Sequence, residues 1–226
     1  MSLTFGLLLG VLLGMRHSFE PDHVAAVSTL IDGRSRHSTT ILGAFWGLGH
    51  STALLAVGGA LAALHASLPR SLGDGFELLV AAMLVILGAR AVARARPVDR
   101  VTSAARHPHD AADPHAGNDH VHVGPWTFAW RPLVVGLVHG LAGSGALTAL
   151  VTADLPTWGT RVAYMTLFGV GSVIGMAGLT GVVGWQLARI ERRARLSRAL
   201  ALVTGTFSVG LGGWWGWTAF SSLLRG

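Results

Sequence analysis

The residues best suited to chemistry lie in one short segment, residues 14–24, which reads GMRHSFEPDHV. It places two imidazoles and two carboxylates inside a stretch that is otherwise apolar enough to cross a bilayer. A charge at the bilayer centre costs about 2.5–3.5 kcal/mol on insertion scales, so membrane segments rarely carry one without a use. Two imidazoles and a carboxylate suit borderline divalent cations such as Ni²⁺, Co²⁺ or Zn²⁺. The segment therefore predicts a metal site at His17, Asp22 and His23.

These three side chains can meet only if the helix that carries them is broken. In a regular helix His17 points about 140° away from Asp22 and about 240° away from His23, at 100° per residue. Pro21 removes an intrahelical hydrogen bond and disfavours helical geometry at Glu20. We therefore expect the first helix to unwind near Glu20 and Pro21.

A purely structural role for the same charges is the alternative. Arg16 and Glu20 are four residues apart and could neutralise each other. Asp22 could then serve as a cap for the second half of the helix. This alternative leaves two intramembrane histidines without a purpose.

The rest of the chain has the composition of an integral membrane protein. Of its 226 residues, 51% are hydrophobic and only 12% are charged, whereas a soluble domain carries about 25% charged residues. At about 20 residues per crossing, the apolar segments predict six helices in one all-α membrane domain. This excludes a soluble enzyme and a nucleic-acid-binding module. The expected spans are roughly 3–31, 38–66, 75–94, 131–153, 160–188 and 199–223.

The basic residues predict the orientation of these spans. All 17 are Arg, and they concentrate after spans 1, 3 and 5. The positive-inside rule then puts both termini outside the cytoplasm and the long 95–130 loop inside it, as expected for a bacterial inner-membrane protein. The chain has no Cys and no Lys, which excludes thiolate ligands, thiol redox chemistry and a phosphate-binding lysine. We expect no enzymatic activity and no prosthetic group.

An internal repeat is suggested by matches at a constant offset of 122 residues. Residues 14–17 match residues 136–139, and residues 46–49 match residues 168–171. Because each half has three crossings, it ends on the other side of the membrane from where it begins. The two halves, 1–94 and 131–226, must therefore have opposite orientations, as in many secondary transporters. The offset makes His139 the mate of His17, so His139 is either a further metal ligand or a donor between helices.

Two motifs resemble the nickel/cobalt transporter family. His17-x₄-Asp22-His23, preceded by Arg16, is similar to its His-x₄-Asp-His signature, and residues 48–52 (LGHST) are similar to its second motif. The form Arg-His-x-x-Glu-Pro-Asp-His and the six-span layout most resemble the shorter, urease-accessory-type branch. The Asp-Thr-Ala-Thr-Glu stretch of eight-helix members has no counterpart here. The resemblance implies a transport role and metal handling by four residues: His17, Asp22, His23 and His50. Supporting positions around them are Arg16, Glu20, Pro21, Ser51 and Thr52.

Two further interpretations stay open. His50 could be a polar contact between helices instead of a ligand. The 95–130 loop carries five histidines, which would form a low-affinity metal-binding segment or belong to a disordered linker. They are His107, His109, His115, His120 and His122.

The sequence thus predicts a secondary transporter of Ni²⁺ or Co²⁺, with a His/Asp site near the membrane midplane and alternating access between the halves. The form of the first motif favours uptake over efflux. The alternative is a membrane accessory protein that delivers or senses metal for a nickel enzyme such as urease without transporting it. Expected partners are the divalent ion, the lipid bilayer and nickel-enzyme maturation proteins, with no nucleic acid. An anion exporter of the sulfite type is disfavoured by the acidic Glu20 and Asp22.

Overall fold

The computed structural model describes residues 3–30, 36–64, 68–95, 130–142, 155, 157–190 and 194–225. Within these ranges the chain is all-helical, as predicted. In chain order the helices are α1 (Leu3–His17), α2 (Pro21–Leu30), α3 (Arg36–Ala63), α4 (Arg70–Ala95), α5 (130–142), α6 (Trp158–Ile190) and α7 (Ala194–Leu223). The five loop histidines fall in 96–129, outside the described residues.

Three of the described helices contain stretches long and apolar enough to cross a membrane. These are Thr39–Ala63 in α3, Arg70–Ala95 in α4 and Trp158–Gln186 in α6, and they coincide with the predicted spans 38–66, 75–94 and 160–188. The helices α4 and α7 begin about five residues before the predicted spans 75–94 and 199–223. Both early turns contain Arg, which is a good helix former. The predicted span 131–153 is described only as far as residue 142.

The first predicted span is broken where Pro21 predicts a break. The helix α1 ends at His17, and the amides of Phe19 and Glu20 donate to the carbonyls of Arg16 and His17, each at 3.0 Å. Pro21 is the first residue of α2, a position where a missing N–H leaves no helical hydrogen bond unmade. A short turn therefore separates the two half-helices, and the prediction of a break is confirmed.

Two glycines bring the helices of the site close together. A Cβ on Gly14 of α1 would overlap the backbone of Phe168 and crowd that of Ser172 in α6, and a Cβ on Gly136 of α5 would do the same to Trp46 and His50 in α3. Only glycine permits such close backbone approach. These contacts fix α1 against α6 and α5 against α3.

The helix α2 lies at the centre of the molecule. Ala25, Ala26 and Val27 are at most 1% exposed and belong to a core cluster that also contains side chains from α3, α4 and α6. The helix α4 packs along α7, and α2 contacts both of them. The first turn of α2, which carries Asp22 and His23, is therefore surrounded by other helices.

Candidate metal centre

Four helices bring five polar side chains to one place. His17 is the last residue of α1, Asp22 and His23 lie in the first turn of α2, and His50 and His139 come from α3 and α5. All but His17 are buried, with at most 6% of each residue exposed. The five residues that the sequence singles out as metal-handling are thus neighbours in space, although they span more than half of the chain.

Three of them form what we call the imidazole triad: His17, His23 and His50. Their ring centroids lie 4.6 Å (His17–His23), 5.1 Å (His17–His50) and 5.3 Å (His23–His50) apart, close to an equilateral triangle. One ring nitrogen of each lies within 4.8 Å of the others. The Nε2 atoms of His17 and His50 are 3.2 Å apart and share a hydrogen bond. The triad has the donor atoms and nearly the spacing for a single cation.

A second group, the Asp22 bridge, consists of Asp22 between His23 and His139. The Oδ1 atom lies 3.0 Å from Nδ1 of His23, and the Oδ2 atom lies 2.9 Å from Nε2 of His139. Both carboxylate oxygens therefore accept a hydrogen bond from an imidazole. Because His23 belongs to both groups, its ring connects the triad to the bridge. Asp22, His23 and His139 also meet the distance criterion for holding one ion.

Several buried polar atoms in the cluster have no partner. Among the described residues, nothing hydrogen-bonds to Nε2 of His23, Nδ1 of His50, Nδ1 of His139 or Nε1 of Trp46. Leaving a buried polar group unpaired costs about 1–3 kcal/mol, so such groups are rare unless a ligand satisfies them. Three unpaired imidazole nitrogens in one cluster are typical of a ligand-binding site.

Two aromatic side chains enclose the cluster, and the sequence did not single them out as site residues. The Trp46 ring lies 5.5 Å from that of His23 and 5.9 Å from that of His139, and the Phe168 ring lies 5.4 Å from that of His17. Apolar walls lower the local dielectric and strengthen electrostatic interactions. The sequence contained one indication of their importance: Trp46 and Phe168 occupy equivalent positions in the matching segments 46–49 and 168–171.

One side of the cluster reaches the protein surface through Glu20. Its Oε1 atom lies 3.0 Å from Nδ1 of His17, and its side chain is 54% exposed, against 16% for that of His17. Glu20 thus contacts the cluster, whereas the structural alternative pairs it with Arg16. Asp22 likewise bonds two imidazoles, which is more than a cap would do. Side-chain exposure falls from Glu20 to His17 and then to the buried residues of the cluster. The cluster is therefore most accessible from the side of Glu20.

The other supporting residues stand around the cluster and outside it. The hydroxyl of Ser51 donates to the carbonyl of Gly169 at 2.9 Å and joins α3 to α6, and the hydroxyl of Thr52 donates to Leu48 of its own helix at 2.7 Å. Arg16 is exposed, and Pro21 begins α2. Ser51 therefore serves helix packing, and Thr52 is an exposed position beside the site.

Comparison with known proteins gives three curated relatives. No family model and no solved structure matches the chain. Two chloroplast proteins of Arabidopsis thaliana, FOR GROWTH AND FERTILITY 1 and 2, are 28% and 26% identical over 90% of this chain. The chain spans only 56% and 54% of their lengths, so it corresponds to about half of each plant protein.

The third relative matches from end to end. It is the urease accessory protein UreH of Bacillus sp. (strain TB-90), 30% identical over 211 residues, which cover 91% of this chain and 88% of that protein. The alignment thus covers most of both chains. The chain belongs to the family of the urease accessory protein UreH.

Proposed function

We propose that this chain is a secondary transporter that carries Ni²⁺ or Co²⁺ across the bacterial inner membrane, with the His/Asp cluster as the binding site. The observation that carries the proposal is the convergence of four imidazoles and a carboxylate, with three imidazole nitrogens buried and unpaired within the described part of the chain. Such a set of ligands suits nickel and cobalt far better than alkali ions or organic anions. The relation to a urease accessory protein agrees with this metal, because urease is a nickel enzyme.

The position of the cluster supports transport. The 15-residue helix α1 is about 22 Å long, so a crossing that starts at its first residue would bring the break after His17 inside a hydrocarbon core of about 30 Å. Broken helices with a site at the break are a common feature of secondary transporters. Glu20 supplies a polar opening on one side, and the ion exchanges its waters for imidazoles on its way in.

Helix contacts support two inverted halves. Gly14 packs on Phe168 and Ser172, and Gly136 packs on Trp46 and His50. The two contacts are equivalent at the 122-residue offset. Gly136 corresponds to Gly14, and Trp46 and His50 correspond to Phe168 and Ser172. A pair of reciprocal contacts is what an approximate two-fold axis between repeats produces. Rocking of the halves about the site would then open it to each side in turn, with uptake as the favoured direction and efflux as the alternative.

Transport is tested by counting ⁶³Ni²⁺ that enters proteoliposomes. We expect wild-type protein to accumulate the ion and the His17→Ala variant to lose at least nine-tenths of the rate. His17 is the least buried ligand, so this variant is the one that best preserves the fold. The matched control is Thr52→Ala, because Thr52 is exposed and bonds only to its own helix; it should transport normally.

The second candidate function is metal delivery without transport, favoured by the name of the Bacillus relative. Under it, the chain binds nickel at the same cluster and passes it to maturation proteins of a nickel enzyme. Tight binding in detergent combined with no accumulation in proteoliposomes would support delivery and exclude transport. The absence of high-affinity Ni²⁺ or Co²⁺ binding would contradict both functions.

A further inference from the structure

The protons in the cluster can be assigned from the hydrogen bonds of Asp22. An ionised carboxylate only accepts, so Nδ1 of His23 and Nε2 of His139 must each carry a hydrogen. A neutral imidazole has one N–H, which leaves Nε2 of His23 as a bare lone pair. That atom is buried and has no partner among the described residues. The lone pair of His23 is therefore available on the side of the ring away from Asp22.

The Asp22 bridge is a poor place for the ion. A cation between Asp22, His23 and His139 would have to displace two short hydrogen bonds, of 3.0 and 2.9 Å, and each imidazole would have to move its proton to its other ring nitrogen. Each carboxylate oxygen already accepts a hydrogen bond, so the carboxylate is paired without a metal.

The imidazole triad is the better place. Three nitrogens spaced evenly around one ion at 2.0–2.1 Å lie at most about 3.6 Å apart, and those of the triad lie within 4.8 Å of one another. An inward movement of each ring nitrogen by up to about 0.7 Å therefore suffices. The triad contains only one hydrogen bond, between His17 and His50, and an ion bound to both rings would replace it.

Given the proposed function, we infer that Asp22 is a positioning residue: the cation binds His17, His23 and His50, while Asp22 holds the His23 ring from behind and ties it to His139. A carboxylate that accepts the second N–H of a metal-bound imidazole fixes its tautomer and raises its basicity, and losing such a partner typically weakens metal binding 10–100-fold. Here the same carboxylate also joins α2 of the first half to α5 of the second.

Two matched variants distinguish a ligand from a positioning partner. His50→Leu and His139→Leu each remove one imidazole that is at most 2% exposed. With purified full-length protein in detergent and less than one equivalent of Co²⁺, X-ray absorption at the cobalt edge counts the bound imidazoles, and competition with a chelator gives the affinity. We expect three imidazoles in the wild type, two in His50→Leu, and three in His139→Leu, whose loss of affinity should be smaller than the 10–100-fold typical of losing a direct partner such as Asp22.

A rescue variant tests the hydrogen bond itself. The amide of Gln can donate to Asp22 as Nε2 of His139 does, so His139→Gln should recover most of the affinity, whereas His50→Gln should not. These variants also replace the leucine variants if either fails to elute as a single species.

Loss of an imidazole in His139→Leu, with no loss in His50→Leu, would overturn the inference and place the ion at the Asp22 bridge. The proposed function would survive that result. It would fail instead if wild-type protein bound neither Co²⁺ nor Ni²⁺.

Discussion

Each histidine of the cluster has a distinct role that its surroundings determine. His17 links the exposed Glu20 to the interior, His23 connects the triad to the Asp22 bridge, and His50 is buried on every side. The side chains are of one type, and only their partners differ. Substitutions at these positions should therefore produce different defects and not one common loss of function.

Acidification should weaken metal binding. An imidazole must be neutral to bind a metal. Protons compete for the same lone pairs, so the affinity for the metal falls as pH falls. We expect the Kd for Ni²⁺ to be higher at pH 4.5 than at pH 7.5, measured by chelator competition. An unchanged Kd across this range would argue against imidazole ligands.

The sequence predicted which residues would meet, but not how they would bond. The spacing of His17, Asp22 and His23 around Pro21 required a break, and the structure has one. The two-sided bonding of Asp22 was not predictable, because it depends on His139, 117 residues away. Ser51 illustrates the same limit: its partner, Gly169, is set by how closely α3 approaches α6.

At the level of helices, glycine spacing determines which pairs can approach. Gly88 and Gly210 are mates at the 122-residue offset, yet a Cβ on Gly88 would crowd α7 at Gly205 and Val209, whereas nothing lies within 4 Å of one on Gly210. Equivalent positions in the two halves therefore have different packing. A repeat seen in sequence does not by itself identify the glycines that form interfaces.

Replacing Gly14 should separate two helices. The added methyl of Gly14→Ala overlaps the backbone of α6, which cannot move aside as a flexible side chain would. Overpacking of this kind typically costs about 1–3 kcal/mol. We expect a lower thermal midpoint in detergent, followed by tryptophan fluorescence.

The matched control is Gly210→Ala, in the open position. It should keep or slightly raise the midpoint, since alanine favours a helix by about 1 kcal/mol over glycine. Equal midpoints for the two variants would contradict the close contact between α1 and α6.

At the level of the whole molecule, the absence of Cys makes the proposed topology directly testable. A single cysteine introduced next to the C-terminus, at Arg225, should react in intact cells with a membrane-impermeant maleimide. One introduced in the 95–130 loop, at Asp110, should react only after lysis. This follows from the concentration of Arg after the predicted spans 1, 3 and 5, which the positive-inside rule assigns to the cytoplasmic side. The reverse labelling pattern would invert the proposed orientation.

The loop histidines should affect capacity more than affinity. Replacing all five by Ala should remove weak binding of additional Ni²⁺ ions, which the composition of this segment predicts. Tight binding of the first equivalent should remain. Equilibrium dialysis over a range of Ni²⁺ concentrations separates the two, and loss of the tight equivalent would move the binding site into the loop.

The central position of α2 would connect the proposed metal site to any rearrangement of the helices around it. Among the helices whose mutual contacts are described, α4 and α7 form one closely packed pair, α1 and α3 pack on α6, and α2 lies between these two groups. This half-helix also carries Asp22 and His23. If one group slid against the other, Asp22 and His23 would move with α2, and the geometry of the proposed cation site would change. Release of the ion and rearrangement of the helices would then occur together.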